Sequence, residues 1–217
     1  ADALATVDLT SMDLTNYQYF IATGILPGSS GYNVNAGTDF EIIQVPELAP
    51  SSNDPSTSEV VLLHASPDAP AIDVKARDGG TVVSNLSYGN YEIITLDDEG
   101  FLMDLIEPGS SGEEAYHTFR LRSSVLGTLL GNRVIAVAAG FRDSTVNNNG
   151  PDFGANTVVA NGIAIPLEEV TTSTVNIIHN SADPAASSVD VYYDTVSTPA
   201  IDDFQYGHAS GRLQLLA

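Results

Sequence analysis

Three side chains with catalytic potential fall close together in this sequence: His64, Ser66 and Asp68, at alternate positions of one segment. A working triad needs an exposed serine on a strained turn, a histidine within hydrogen-bond reach and oxyanion donors beside them. Residues at alternate positions of an extended segment project to one side, which does not bring them into such a convergent chain. No Gly-x-Ser-x-Gly elbow occurs either. The segment reads instead as a strand ending at His64, followed by a proline-containing turn in which Ser66 and Asp68 satisfy backbone N–H groups. No catalytic residue is assigned, and the protein is expected not to be an enzyme.

Asp143, Asn147, Asn148, Asn149 and Asp152 form an oxygen-rich loop around Gly150. Hard cations take about six to eight oxygen ligands, so Asp143, Asn147, Asn149 and Asp152 are candidate calcium ligands. The loop departs from the EF-hand template, with Gly154 where a bidentate glutamate belongs. Loops of this composition commonly form plain turns. Asp97, Asp98 and Glu99 supply a second acidic cluster. Calcium is the one cofactor left open.

Other motifs offer less. Pro27-Gly28-Ser29-Ser30-Gly31 recurs as Pro108-Gly109-Ser110-Ser111-Gly112, but neither copy has the lysine or the helix of a phosphate-cradling loop. His117 and His208 stand alone, without metal-ligand spacing. Tyr88, Tyr91, Tyr192, Tyr193 and Tyr206 lie in or beside predicted strands, where packing is the usual role and sugar stacking a secondary one.

The elements that must position these residues are strands. Val60-Val61-Leu62-Leu63, Tyr91 to Leu96 and Val189 to Tyr193 are β-branched or aromatic runs bounded by Gly, Pro, Asn, Asp and Ser. Only Ser123 to Leu130 suits a short helical turn. Many short strands at regular spacing predict an all-β fold: Ig-like antiparallel β-sandwich repeats with Greek-key connections.

An internal repeat sets the division of the chain. Val60 to Pro70, followed by Ile72-Asp73-Val74, matches Val175 to Pro184, followed by Val189-Asp190-Val191. The two histidines are 115 residues apart (179 − 64), about one sandwich domain. Tyr17 to Gly24 likewise matches Arg133 to Gly140. Residues 1–50 are therefore expected to be the closing strands of one unit, 59–168 a complete unit, and 174–217 the opening strands of a further one. Residues 51–58 and 169–173 have the composition of linkers. The opening strands would pair with residues 1–50 of the same chain or of a neighbouring one.

Charge narrows the partners. The chain carries 28 acidic and 7 basic residues, a formal net charge of −21, with a single lysine. Such a field repels phosphate backbones and anionic lipid, so nucleic acid is not an expected partner. It suits either a salty environment or an ordinary acidic extracellular protein. Cysteine is absent, so no disulfide, thiolate metal site or cysteine nucleophile is available. The longest apolar run, Val134 to Phe141, is too short to cross a bilayer. The start at Ala1 suits a mature product or a piece of a longer protein.

The segment His64-Ala65-Ser66-Pro67-Asp68-Ala69-Pro70-Ala71-Ile72-Asp73-Val74 resembles the hallmark of the domain-of-unknown-function 4397 family. The likeness continues through Leu86-Ser87-Tyr88-Gly89 and the strand around Val134–Gly140, while Asn180 and Ala182 depart from the pattern in the second copy. The resemblance implies Ig-like sandwich domains of secreted or surface proteins in bacteria and archaea, often in tandem, and brings no activity with it. The expected function is a non-catalytic secreted or cell-surface assembly protein, self-associating or binding other surface proteins. Polymerisation by strand sharing is its sharper version. The alternative is an extracellular calcium- or carbohydrate-binding adhesion module.

Overall fold

A computed structural model describes residues 10, 17–48, 57–77, 80–96, 100–109, 115–122, 133–158, 163–193, 199–211 and 213–216. The predicted helical turn at 123–130, the acidic cluster at 97–99 and the end of the second Pro-Gly-Ser-Ser-Gly segment lie outside them, as do residues 51–56 of the expected linker. The chain divides into two compact units, one ending at Glu169 and one beginning at Val170.

The first unit is an all-β sandwich with an added hairpin. One sheet has the order β11-β10-β9-β3-β6, built from β3 (Ser58–Ala65), β6 (Tyr91–Leu96), β9 (Arg133–Ala139), β10 (Gly154–Val158) and β11 (Ala164–Pro166). The other has the order β12-β8-β7-β4-β5, built from β4 (Ile72–Ala76), β5 (Gly80–Leu86), β7 (Gly100–Ile106), β8 (His117–Arg122) and β12 (Glu168–Glu169). Strand pairs are antiparallel except β3 with β9, which run parallel over seven register pairs from Glu59↔Arg133 to Ala65↔Ala139. The first strand of the sandwich thus inserts between β9, the middle strand of its sheet, and β6 at the edge.

Alternation explains the core. Val60 and Leu62 of β3, Val134 and Ala136 of β9 and Ala155 of β10 face Val74, Met103, Leu105, Phe119 and Leu121 of the opposite sheet. Each such aliphatic side chain contributes about 1.5–3 kcal/mol on burial. The intervening residues of β3 are buried too, which is why Val60-Val61-Leu62-Leu63 is a continuous apolar run. Val61 and Ile135 point to the other face and pack against the hairpin of β1 (Tyr17–Thr23) and β2 (Glu41–Leu48) through Tyr19, Ile21 and Val45.

In the second unit β13 (Thr172–Val175) pairs with β16 (Leu213–Leu216), and β14 (Ser188–Val191) with β15 (Ile201–Gln205). Of the expected linker 169–173, only Val170 and Thr171 lie outside strands. Among the described residues no helix is long and apolar enough to cross a membrane.

Candidate functional site

His64 is the penultimate residue of β3, with its side chain fully buried. Its Nδ1 accepts the backbone N–H of Ser66 at 3.3 Å, which puts the ring proton on Nε2, and Nε2 donates to the Pro70 carbonyl at 2.8 Å. The imidazole therefore bridges both ends of the turn it begins. Burial holds it below the ordinary histidine value, with the Pro70 carbonyl pulling part of the way back. Its backbone is held as well: His64 N–H donates to Asn90 and its carbonyl accepts from Gly89. Tyr88 sits edge-on to the ring with centroids 6.3 Å apart.

The serine hydroxyl does not meet this base. Ser66 Oγ donates to Asp68 Oδ1 at 3.3 Å instead, and Ser66 meets the imidazole only through its backbone N–H. Asp68 is the hub of the loop after β9. Its carboxylate accepts from the backbone N–H groups of Arg142 and Asp143 at 2.8 and 3.0 Å and from Asn147 Nδ2 at 3.0 Å. The local turn role expected of Ser66 and Asp68 is thus replaced: the Ser66 hydroxyl bonds Asp68, and Asp68 satisfies N–H groups of a loop more than 70 residues away.

The candidate calcium loop is organised by these bonds. Asn147 is fully buried; its Nδ2 also donates to the Asp143 carbonyl at 2.9 Å, and its Oδ1 accepts from Asn33 N–H at 2.7 Å. Asp143 caps a short 3-10 turn (Ser144–Val146) by accepting from Thr145 N–H at 3.0 Å, and the Thr145 hydroxyl, its leading cause, holds its carboxyl below the usual range. Asn149 adopts a left-handed backbone, φ 50°, and donates its N–H to the Ser144 carbonyl. Asp152 is exposed and bridges to Phe141 through the backbone. Asp143 and Asn147 therefore meet within one turn, while Asn149 and Asp152 take part through their backbones. Among the described residues, the carboxylates within mutual reach for a cation are Asp190, Asp202 and Asp203, all exposed. Asp190, through its side-chain hydrogen bond first and its charge second, raises the Asp202 carboxyl above its ordinary value.

The loop between β1 and β2 covers this turn. Asn35 donates N–H to the Pro67 carbonyl at 2.9 Å and Nδ2 to the Ala69 carbonyl at 2.7 Å. Asn148 Nδ2 donates to the Ser30 carbonyl, and Tyr32 stacks on Phe141. His117 stacks on Phe153 at 4.5 Å and pairs with Glu169 at 2.7 Å. The adjoining cleft, lined by Pro70, Tyr116, His117, Arg142 and Phe153, holds about 20 Å³, room for a single water and far below the roughly 300–1,000 Å³ typical of small-molecule sites.

The same turn geometry stands in the second unit. His179 Nδ1 accepts from Ser181 N–H at 3.4 Å and Nε2 bonds the Ala186 carbonyl at 2.7 Å. His179 N–H donates to His208, Gly207 N–H donates to the His179 carbonyl, and Tyr206 lies edge-on at 6.2 Å. Tyr206-Gly207-His208 thus stands where Tyr88-Gly89-Asn90 stands in the first unit. Sequence comparison passed over this match because only Tyr-Gly is shared and insertions alter the spacing. The signal was the Tyr-Gly pair at a strand end in each unit. Asp183, the counterpart of Asp68, accepts from Ala185 N–H at 2.9 Å.

Comparison with protein-family models, with curated proteins and with solved structures returns no match for this chain.

Replacing Asp68 with alanine should cost about 2 kcal/mol, because three donors on the 142–147 segment lose one charged acceptor. Chemical denaturation measures the loss, and amide exchange at Arg142 and Asp143 should accelerate. Unchanged protection at those two amides would contradict the hub role.

Proposed function

We propose that this chain is a non-catalytic structural and assembly module of the prokaryotic cell exterior, secreted or held at the surface, built from repeated Ig-like sandwich units related to the domain-of-unknown-function 4397 family. The observation that carries this reading is the use made of the motif. In both units the histidine that begins the turn has both ring nitrogens committed to backbone groups. A group so held braces a turn, and the first copy has no room to accept a substrate proton because it is fully buried.

Self-association through shared strands is the partner this reading names, since β13 has one strand neighbour among the described residues and β3, its counterpart, has two. A net charge of −21 disfavours nucleic acid as a partner. Light scattering across a concentration series tests the assembly. The mass should climb with protein concentration, and more steeply at high salt, because association brings like-charged surfaces together. A mass of one chain at every concentration, with calcium raising the melting temperature, would overturn it in favour of the binding-module reading.

A further inference from the structure

The β1–β2 hairpin is a second copy of the β9–β10 hairpin in its backbone. Thr23↔Glu41, Ala22↔Ile42, Ile21↔Ile43, Phe20↔Gln44 and Tyr19↔Val45 reproduce, pair for pair, Ala139↔Gly154, Ala138↔Ala155, Val137↔Asn156, Ala136↔Thr157 and Ile135↔Val158. Both hairpins turn at a glycine of like conformation, Gly24 (φ +87°) and Gly140 (φ +88°). Each is followed by a parallel bridge, Ile25 to Asp39 and Phe141 to Asp152.

The second unit copies the other half of the sandwich. Its β13–β16 and β14–β15 pairs stand where β3–β6 and β4–β5 stand in the first unit, on the His179 and His64 turns already described. Its core positions are unfinished. Val60, Leu62, Ile72, Val74 and Val83 are 0–6 % exposed, whereas their counterparts Val175, Ile177, Val189, Val191 and Ile201 are only half-buried. Ile178, the counterpart of the buried Leu63, is 70 % exposed.

In the complete sandwich β9 closes that gap by lying parallel to β3. The β1–β2 hairpin keeps the matching face turned outward. It packs on its own sandwich through Tyr19, Ile21 and Val45, the positions that match the outward residues Ile135, Val137 and Val158. Phe20 and Ala22, which match the core-facing Ala136 and Ala138, are exposed, and Ile42, which matches Ala155, is half-buried. One molecule therefore offers a core-type hairpin face and, elsewhere, an unfinished core lacking that hairpin.

Resting on the assembly reading above, we propose that the β1–β2 hairpin of a second copy of this chain inserts into the second unit, with β1 lying parallel to β13 in the β3–β9 register. That register sets Phe20 beside Ile177, Ile21 beside Ile178 and Ala22 beside His179. The contact is head-to-tail, since donor and acceptor are different surfaces, and it propagates unless it closes into a ring. Residues 1–74 and 143–211 contain no lysine or arginine, so both surfaces are acidic and salt must strengthen the contact.

The chain's lack of cysteine makes the register directly readable. Phe20→Cys and Ile177→Cys, prepared as separate full-length variants and mixed under mild oxidation, should give a disulfide-linked heterodimer. Neighbouring strands lie about 4.8 Å apart, within the usual disulfide span of about 4.4–6.8 Å between Cα atoms. Thr23→Cys mixed with Ile177→Cys, three residues or roughly 10 Å out of register, should give none. Phe20→Asp, at a site 39 % exposed in the free chain, should fold normally and hold the mass at one chain, while Ile93→Asp, exposed on β6, should not. A wild-type mass that climbs with concentration but without the Phe20–Ile177 cross-link, and unaffected by Phe20→Asp, overturns this donor and leaves the assembly reading standing. A mass of one chain throughout, with no cross-link, removes both.

Discussion

His64→Ala should lower the unfolding free energy by about 4 kcal/mol, a large share of the roughly 5–15 kcal/mol of a typical domain. Two terms add. The Pro70 carbonyl and the Ser66 N–H lose their partners inside the fold, at about 1–3 kcal/mol for each group left unsatisfied. Removing a fully buried ring also opens a cavity between β3, Tyr88 and the turn. Urea titration followed by circular dichroism gives the value, and a loss under about 1 kcal/mol would contradict the bracing role. His64→Gln retains an N–H donor and a carbonyl acceptor and should recover part of the loss.

The same residue gives the fold a pH dependence. Its folded value is lowered by burial, so the unfolded chain binds the proton more readily. The contribution of neutral His64 is fully present above the unfolded value of about 6.5 and erodes as pH falls from there through the lower folded value. Denaturation midpoints of the parent should drop across that window, and those of His64→Gln should drop less.

Gly140→Ala should be comparably damaging, by about 3–5 kcal/mol. Its φ of +88° is in the left-handed region, and a Cβ there would lie 2.2 Å from the Asp152 carbonyl oxygen, a backbone atom with no rotamer to yield. Relief requires parting the chain at Phe141, whose N–H donates to Pro151 and whose carbonyl accepts from Phe153. Gly28→Ala is the internal comparison, since Gly28 has φ +79° and nothing near a built Cβ. It carries the backbone strain alone, about 1 kcal/mol. Equal losses for the two variants would show that the close approach at Asp152 is unimportant. Gly24→Ala repeats the Gly140 geometry, with the Asp39 carbonyl at 2.3 Å, and its effect should fall on the β1–β2 hairpin.

Strands were readable here because β-branched runs alternate with breakers; that β3 is buried on both faces, the cause of the unbroken Val60–Leu63 run, became clear only from the packing. The parallel partnership of β3 with β9 was not readable. A period of two says which way a side chain points and nothing about which strand lies alongside. At the His64 turn, spacing alone argued against a triad; the bond from Ser66 Oγ to Asp68 was not legible in it. The link from Asp68 to Arg142, Asp143 and Asn147 had no local trace, because a hydrogen bond across more than 70 residues depends on the whole sandwich bringing two loops together. The Asn-rich composition of 147–149 signalled oxygen ligands. It carried no hint that the buried Asn147 amide donates to Asp68 and to the Asp143 carbonyl.

The position of β3 has a mechanical consequence. A pull on the chain ahead of Ser58, directed along the strand, meets six register pairs with β6 on one side and seven with β9 on the other. Sheet hydrogen bonds run across the strands, so such a load shears both rows together and cannot peel them one at a time. The sandwich should hold its length under tension and then give way in a single rip.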